Sequence, residues 1–181
     1  MIAIGFLELN SIAKGILAAD MMIKASEIKL IAARPGCPGK YQVLISGEVS
    51  AVESAMKAGE EAGGANVVDS LVIPRIHPQV IEAINMSSMP SKLRALGVME
   101  FFSVTGAIVA ADTAVKAAAV SLIEIRLGMG IGGKSYVTLT GDVSAVEESV
   151  KAGVKTAENT GNLIAQVVIA HPDKELYRCL L

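Results

Sequence analysis

The chain repeats itself, and this limits its fold more than its composition does. Ala3-Ile4-Gly5-Phe6-Leu7-Glu8 recurs as Ala95-Leu96-Gly97-Val98-Met99-Glu100, Ala18-Ala19-Asp20 as Ala110-Ala111-Asp112, and Lys24-Ala25 as Lys116-Ala117, all at an offset of 92. Beyond the glycine-rich segments the offset is 94. It carries Gly39-Lys40 onto Gly133-Lys134 and Gly47-Glu48-Val49-Ser50-Ala51-Val52-Glu53 onto Gly141-Asp142-Val143-Ser144-Ala145-Val146-Glu147. The second copy therefore holds two extra loop residues. His77-Pro78 and His171-Pro172 close the two copies, and Met86 to Lys92 reads as a linker. Two small domains, 1–88 and 93–181, are expected.

Each copy has the same order of elements. Residues 2–9 have a β-type pattern, and Ser11 is placed to cap an Ala-rich helix running to about Ser26. Residues 27–34 and 40–46 read as two strands around the loop Pro35-Gly36-Cys37-Pro38-Gly39, a hairpin spacing. Ser50 to Glu53 and Ser144 to Glu147 have the form of capping boxes opening a second helix. A further strand near 67–74 and 162–170 leads to a short helix whose first turn holds Pro78 or Pro172, where a missing N–H costs nothing. The expected fold is α+β: a ferredoxin-like βαββαβ unit with a terminal helical turn, made twice.

Composition excludes several functions. The net charge is −2 with both signs interspersed, so there is no electrostatic footprint for nucleic acid and no basic membrane patch. Aromatic residues are only 3% of the chain, which leaves little surface for base stacking. The longest apolar run, Ala107 to Val120, is broken by Asp112, Thr113 and Lys116 and falls short of the roughly 20 residues a spanning helix needs. No signal peptide is visible at the N-terminus, and a cytosolic location is expected. Cys37 and Cys179 then sit where thiols stay reduced, and a disulfide is the disfavoured reading of either.

Taken together, Gly-x-x-Glu, Ala-Ala-Asp-x-x-x-Lys-Ala, a Gly-rich loop, Gly-Asp/Glu-Val-x-Ala-Val and Val72-Ile73-Pro74-Arg75-Ile76-His77-Pro78 resemble the bacterial microcompartment shell domain. The resemblance covers nearly the whole chain in both copies. It implies a structural, non-enzymatic protein of the tandem type, whose homotrimers imitate the flat hexamers of single-domain relatives and tile laterally with other shell proteins. It implies a place in the compartment shell of the bacterial cytoplasm. It also implies edge contacts between tiles at Lys24, Lys116, Arg75 and His77, although Ile76 stands where the family has a second Pro. The second copy reads Val168-Ile169-Ala170-His171 and has no counterpart of Arg75. The central pore loops fall on Pro35, Gly36, Cys37, Pro38 and Gly39, and on Gly128, Met129, Gly130, Ile131, Gly132 and Gly133.

The Cys-Pro-Gly-Lys context resembles the tandem shell proteins of propanediol-utilisation compartments, which carry an iron–sulfur cluster at the trimer centre. In a threefold assembly each loop residue forms a ring of three, so Cys37 supplies three thiolates and the Gly-rich second loop none. A [4Fe–4S] cluster normally takes four thiolates, so three leave one iron open. Flanking Pro and Gly stiffen the loop and let backbone amides approach closely. The function implied is a shell tile passing electrons across the shell, with encapsulated redox enzymes as candidate partners. Two alternatives remain open at this point: a metal-free metabolite pore in a shell protein, and a ligand-sensing ferredoxin-like regulator.

Other residues carry weaker signals. Cys179 has no partner at ligand spacing. His77 and His171 suit helix capping or subunit contact better than catalysis. Glu8 and Glu100 suit a hydrogen bond better than acid–base work, because no second titratable group travels with them. Gly128 to Gly133 precedes a strand and lacks phosphate-loop spacing. No catalytic set is apparent.

Overall fold

Every residue of Ala3–Leu9 is buried, which marks it as a central strand, β1. In the computed structural model, which describes residues 2–88, 90, 92–158 and 161–180, it lies between two antiparallel partners. The elements of the first unit are β1, α1 (Ile12–Ala25), β2 (Lys29–Gly36), β3 (Lys40–Gly47), α2 (Val49–Gly63) and β4 (Val67–Ile73). The second unit holds α3 (Pro78–Ile84), β5 (Ala95–Phe101), α4 (Val104–Ala117) and β6 (Val120–Leu127). It continues with β7 (Ser135–Gly141), α5 (Val143–Glu158), β8 (Leu163–Ile169) and α6 (Lys174–Leu180). The two sheets have the orders β2-β3-β1-β4 and β6-β7-β5-β8, so the ferredoxin-like unit is present twice.

In the first unit α1 and α2 pack on one face of the sheet through Ala18, Ala19, Met22, Val52, Ala55 and Met56 against Ala3, Leu7, Leu9, Tyr41, Val43 and Ile45. Glycines permit the approach. A Cβ at Gly15 would lie 2.5 Å from Cγ of Tyr41, so only a bare backbone fits between α1 and β3.

Helix ends follow the sequence in part. Ser11 Oγ accepts the N–H of Lys14 at 3.3 Å, and Ser103 Oγ accepts that of Gly106 at 3.0 Å. The expected capping boxes do not form. Only one residue, Glu48, separates β3 from α2, so it must take the cap position, and its carbonyl accepts the N–H of Val52 at 2.9 Å. Asp142 does the same for Val146, which puts Ser50 and Ser144 inside the first helical turn. Pro78 stands at the start of α3 as its spacing predicts. Pro172 does not occupy that place in α6, because the stronger cap Asp173 shifts the start to Lys174.

Contacts within the chain divide it into 1–76 and 77–181. The helix α3, which follows β4 in sequence, packs with β6 and α4 of the second unit.

Candidate functional site

Cys37 stands at the tip of the β2–β3 hairpin. Pairing continues through Pro35 with Tyr41 and Gly36 with Lys40, so the loop shrinks from the expected five residues to Cys37, Pro38 and Gly39. Pro35 is tolerated in β2 because this is an edge strand, with no ladder on its outer side. The Cys37–Pro38 peptide is cis, and Gly39 has φ +68°, a conformation that favours glycine. The thiol is free and half-buried.

The stem of this hairpin is held by one buried carboxylate. Glu8 on β1 is 4% exposed; it accepts from Lys40 Nζ at 2.6 Å and from Gln42 Nε2 at 3.2 Å. Its partners are side chains of the neighbouring strand, in keeping with a hydrogen-bonding role, but a titratable group does accompany both glutamates: Lys40 beside Glu8 recurs as Lys134 beside Glu100, brought there by strand register and not by nearness in sequence. Gln42 also explains Gly36, since a Cβ there would lie 2.7 Å from the amide nitrogen. Glu8, Lys40, Gln42 and Gly36 therefore fix the root of the loop whose tip is Cys37.

The second hairpin is longer. Gly128, Gly130, Gly132 and Gly133 all have positive φ, between 67° and 84°, and the Lys134 N–H donates to the Ile131 carbonyl at 3.3 Å. Met129 is exposed at 39%. Lys134 reaches Glu100 at 3.1 Å, but both side chains are open to solvent, so this copy of the stem pair is weak. The two hairpins belong to separate units.

Of the expected edge residues, Lys24 pairs with Asp20 at 2.6 Å on exposed surface, whereas Lys116 pairs at 2.5 Å with a largely buried Asp112. Asp112 Oδ1 also accepts the backbone N–H of His77 at 2.9 Å. His77 caps α3, its Nδ1 accepting the N–H of Gln79 at 3.3 Å. Arg75 is exposed in a turn with φ +59°. Among the described residues of one chain, no three His, Cys, Asp or Glu side chains gather to hold a metal. The side chain of Cys179 lies outside the described residues.

A second polar cluster escapes sequence reading. Arg126 Nε donates to Glu124 Oε1 at 2.6 Å, Tyr136 OH donates to Glu124 Oε2 at 2.7 Å, and the Arg126 guanidinium lies 6.0 Å from the Tyr136 ring centre. Burial, then the hydrogen bond to Glu124, pushes the Tyr136 phenol above its ordinary value; the same carboxylate raises Arg126. The repeat offsets place Ala32 and Gln42 where this cluster has Glu124 and Tyr136. That mismatch between copies was its only sequence signal.

A duplicated four-stranded unit with paired hairpin loops defines the class. The BMC domain family matches residues 3–76 and 95–172, and the chain belongs to that family of microcompartment shell proteins, in its tandem form. It is similar to the bacterial microcompartment shell protein PduT of Citrobacter freundii, with 42% identity across 97% of this chain and 96% of that protein. It also resembles a crystal structure of a microcompartments protein from Desulfitobacterium hafniense DCB, with 52% identity, a TM-score of 0.96 and 99% of each chain covered. A fused permuted hexameric shell protein, MSM0275 from the RMM microcompartment, shares the fold with a TM-score of 0.62 and 24% identity over 84% of this chain and 79% of that one. Among the described residues no helix is long and apolar enough to cross a membrane.

Proposed function

We propose that this shell protein forms a homotrimeric tile in which Cys37 of three copies holds a [4Fe–4S] cluster at the central axis, for electron transfer across the shell. The observation that carries the proposal is Cys37 itself: a free, half-buried thiol at the tip of a three-residue loop whose root is pinned through Glu8. The donor set fits such a group. The second loop brings no thiolate, and a Cβ at Gly39 would meet nothing within 4 Å, so the loop is open at the residue two positions past Cys37. When bound, the cluster supplies one-electron transfer, with one iron left for water or a small ligand. The chain's own part is to present the thiolate on a stiff stem and to offer the loop's backbone amides. Lys24, Lys116, Arg75 and His77 are the proposed contacts between tiles, and encapsulated redox enzymes the proposed electron partners.

Anaerobic purification, followed by iron and sulfide determination and EPR, tests the cluster. Four irons per three chains with a cluster signal, both lost in Cys37→Ser, are expected. An iron-free protein after reconstitution, or an unchanged signal in Cys37→Ser, overturns the redox half and leaves a shell protein with a metabolite pore.

A further inference from the structure

A groove with a volume of about 440 Å³ runs between α5 and β8 of the second unit. Glu147, Val150, Lys151, Val154 and Lys155 recur at spacings of three and four residues, so one face of α5 lines it. Val150 and Val154 are 3% and 2% exposed, and with Val168 of β8 they make an apolar floor. Lys151, Lys155 and, from β8, Gln166 stand exposed around that floor. Among the described residues neither lysine has a carboxylate partner.

The first unit has closed the same place. The offset of 94 sets Met56, Lys57, Glu60 and Glu61 against Val150, Lys151, Val154 and Lys155, and the strand pairings set Ser70 and Val72 against Gln166 and Val168. Ser70 Oγ donates to Glu60 Oε1 at 2.6 Å, a bridge from β4 to α2 that the second unit lacks. Charge differs as well. Glu53, Glu60 and Glu61 oppose Lys57 alone in the first unit, whereas Glu147 alone opposes Lys151 and Lys155 in the second. One copy is bridged and acidic where the other is open and basic. Lys151 and Lys155 also lie one helical turn apart, a like-charge spacing that weakens a helix unless an anion sits between them.

We infer that the α5–β8 groove binds a small aliphatic carboxylate, with its charged end between Lys151 and Lys155 and its short chain on Val150, Val154 and Val168. Gln166 offers an amide donor from the facing strand. With Glu147 counted, the groove holds one surplus positive charge, which matches a monoanion. Its volume falls toward the lower end of the roughly 300–1,000 Å³ of ligand pockets. The site uses no residue of either hairpin loop, so it stands apart from the proposal for Cys37.

Butanoate is the probe, added to the full-length chain carrying isotope-labelled valine methyl groups and followed by NMR. Saturable shifts are expected at Val150, Val154 and Val168, with Val72 of the first unit unmoved. Butanamide, of the same size but uncharged, should bind about tenfold more weakly or worse. Butanoate should weaken by a similar factor, about tenfold, in Lys151→Gln and in Lys155→Glu, since each removes one charged contact. Both lysines are exposed, and circular dichroism checks the fold of each variant. Valine signals that stay unmoved or never saturate, equal shifts at Val72, butanamide binding as tightly as butanoate, or unchanged butanoate affinity in either variant overturns the site.

Discussion

Asp112 accepts the backbone N–H of His77 at 2.9 Å, while its repeat counterpart Asp20 lies exposed and pairs with Lys24. The two aspartates began as the same residue of one unit. They now differ because α3 covers one of them, so the same substitution should read out differently in each copy.

Asp112→Ala removes the acceptor of the His77 N–H and the carboxylate that pairs with Lys116 at a nearly buried site, a loss of about 1–3 kcal/mol. Asp20→Ala removes only an exposed helical pair, worth roughly 0.3–0.5 kcal/mol. Urea unfolding midpoints of the two variants should separate accordingly, with Asp112→Ala lower. Equal midpoints would show that α3 is not seated on α4.

Gly15 and Tyr41 make a steric pair whose counterparts in the second copy are Ala107 and Ser135, a larger helix residue facing a smaller strand residue. Gly15→Ala drives a methyl group into the Tyr41 ring and should cost about 1–3 kcal/mol by overpacking. Gly15→Ala in a Tyr41→Ser background should cost clearly less, a coupling that a double-mutant cycle of unfolding free energies measures directly.

Tyr136 provides a pH test. Its folded-state value is raised above 10, first by burial and then by the hydrogen bond to Glu124. The unfolded phenol therefore loses its proton at lower pH than the folded one, and the contribution to stability is complete below pH 10 and lost as pH rises through the folded value. The stability advantage of wild type over Tyr136→Phe should be constant between pH 7 and 9 and should shrink by pH 11, as read from urea midpoints. An advantage that does not change with pH would mean that neither burial nor the hydrogen bond to Glu124 raises the Tyr136 phenol in the folded state.

What could be read in the sequence was whatever duplication or local chemistry writes twice. The offset of 92 changing to 94 located both hairpins, and Ser11 and Pro78 marked helix starts that the structure keeps. Ser50 misled because a capping box is a local pattern, and the distance from the end of β3 to α2 left room only for Glu48. The seat of α3 was not legible, since no local rule says which sheet a seven-residue helix will join. Glu124 and Tyr136 meet across two strands whose register shifts between Leu122 and Glu124, and strand spacing alone does not reveal that shift. Cys37 was visible, but the Glu8, Lys40 and Gln42 stem beneath it needed the β1–β3 register.

Arg75 separates assembly from folding. Its φ of +59° costs a non-glycine residue about 1 kcal/mol or more, and strain of this kind persists where the conformation serves a role. Glycine adopts the same backbone freely but gives up more chain entropy on folding, so Arg75→Gly should leave the unfolding free energy of the chain within about 1 kcal/mol of wild type. If the side chain reaches a neighbouring tile, the same variant should lose extended two-dimensional sheets in electron micrographs while keeping the ring mass in solution. Sheets of normal extent from Arg75→Gly would remove Arg75 from the tile edge and leave Lys24 and Lys116 to hold it.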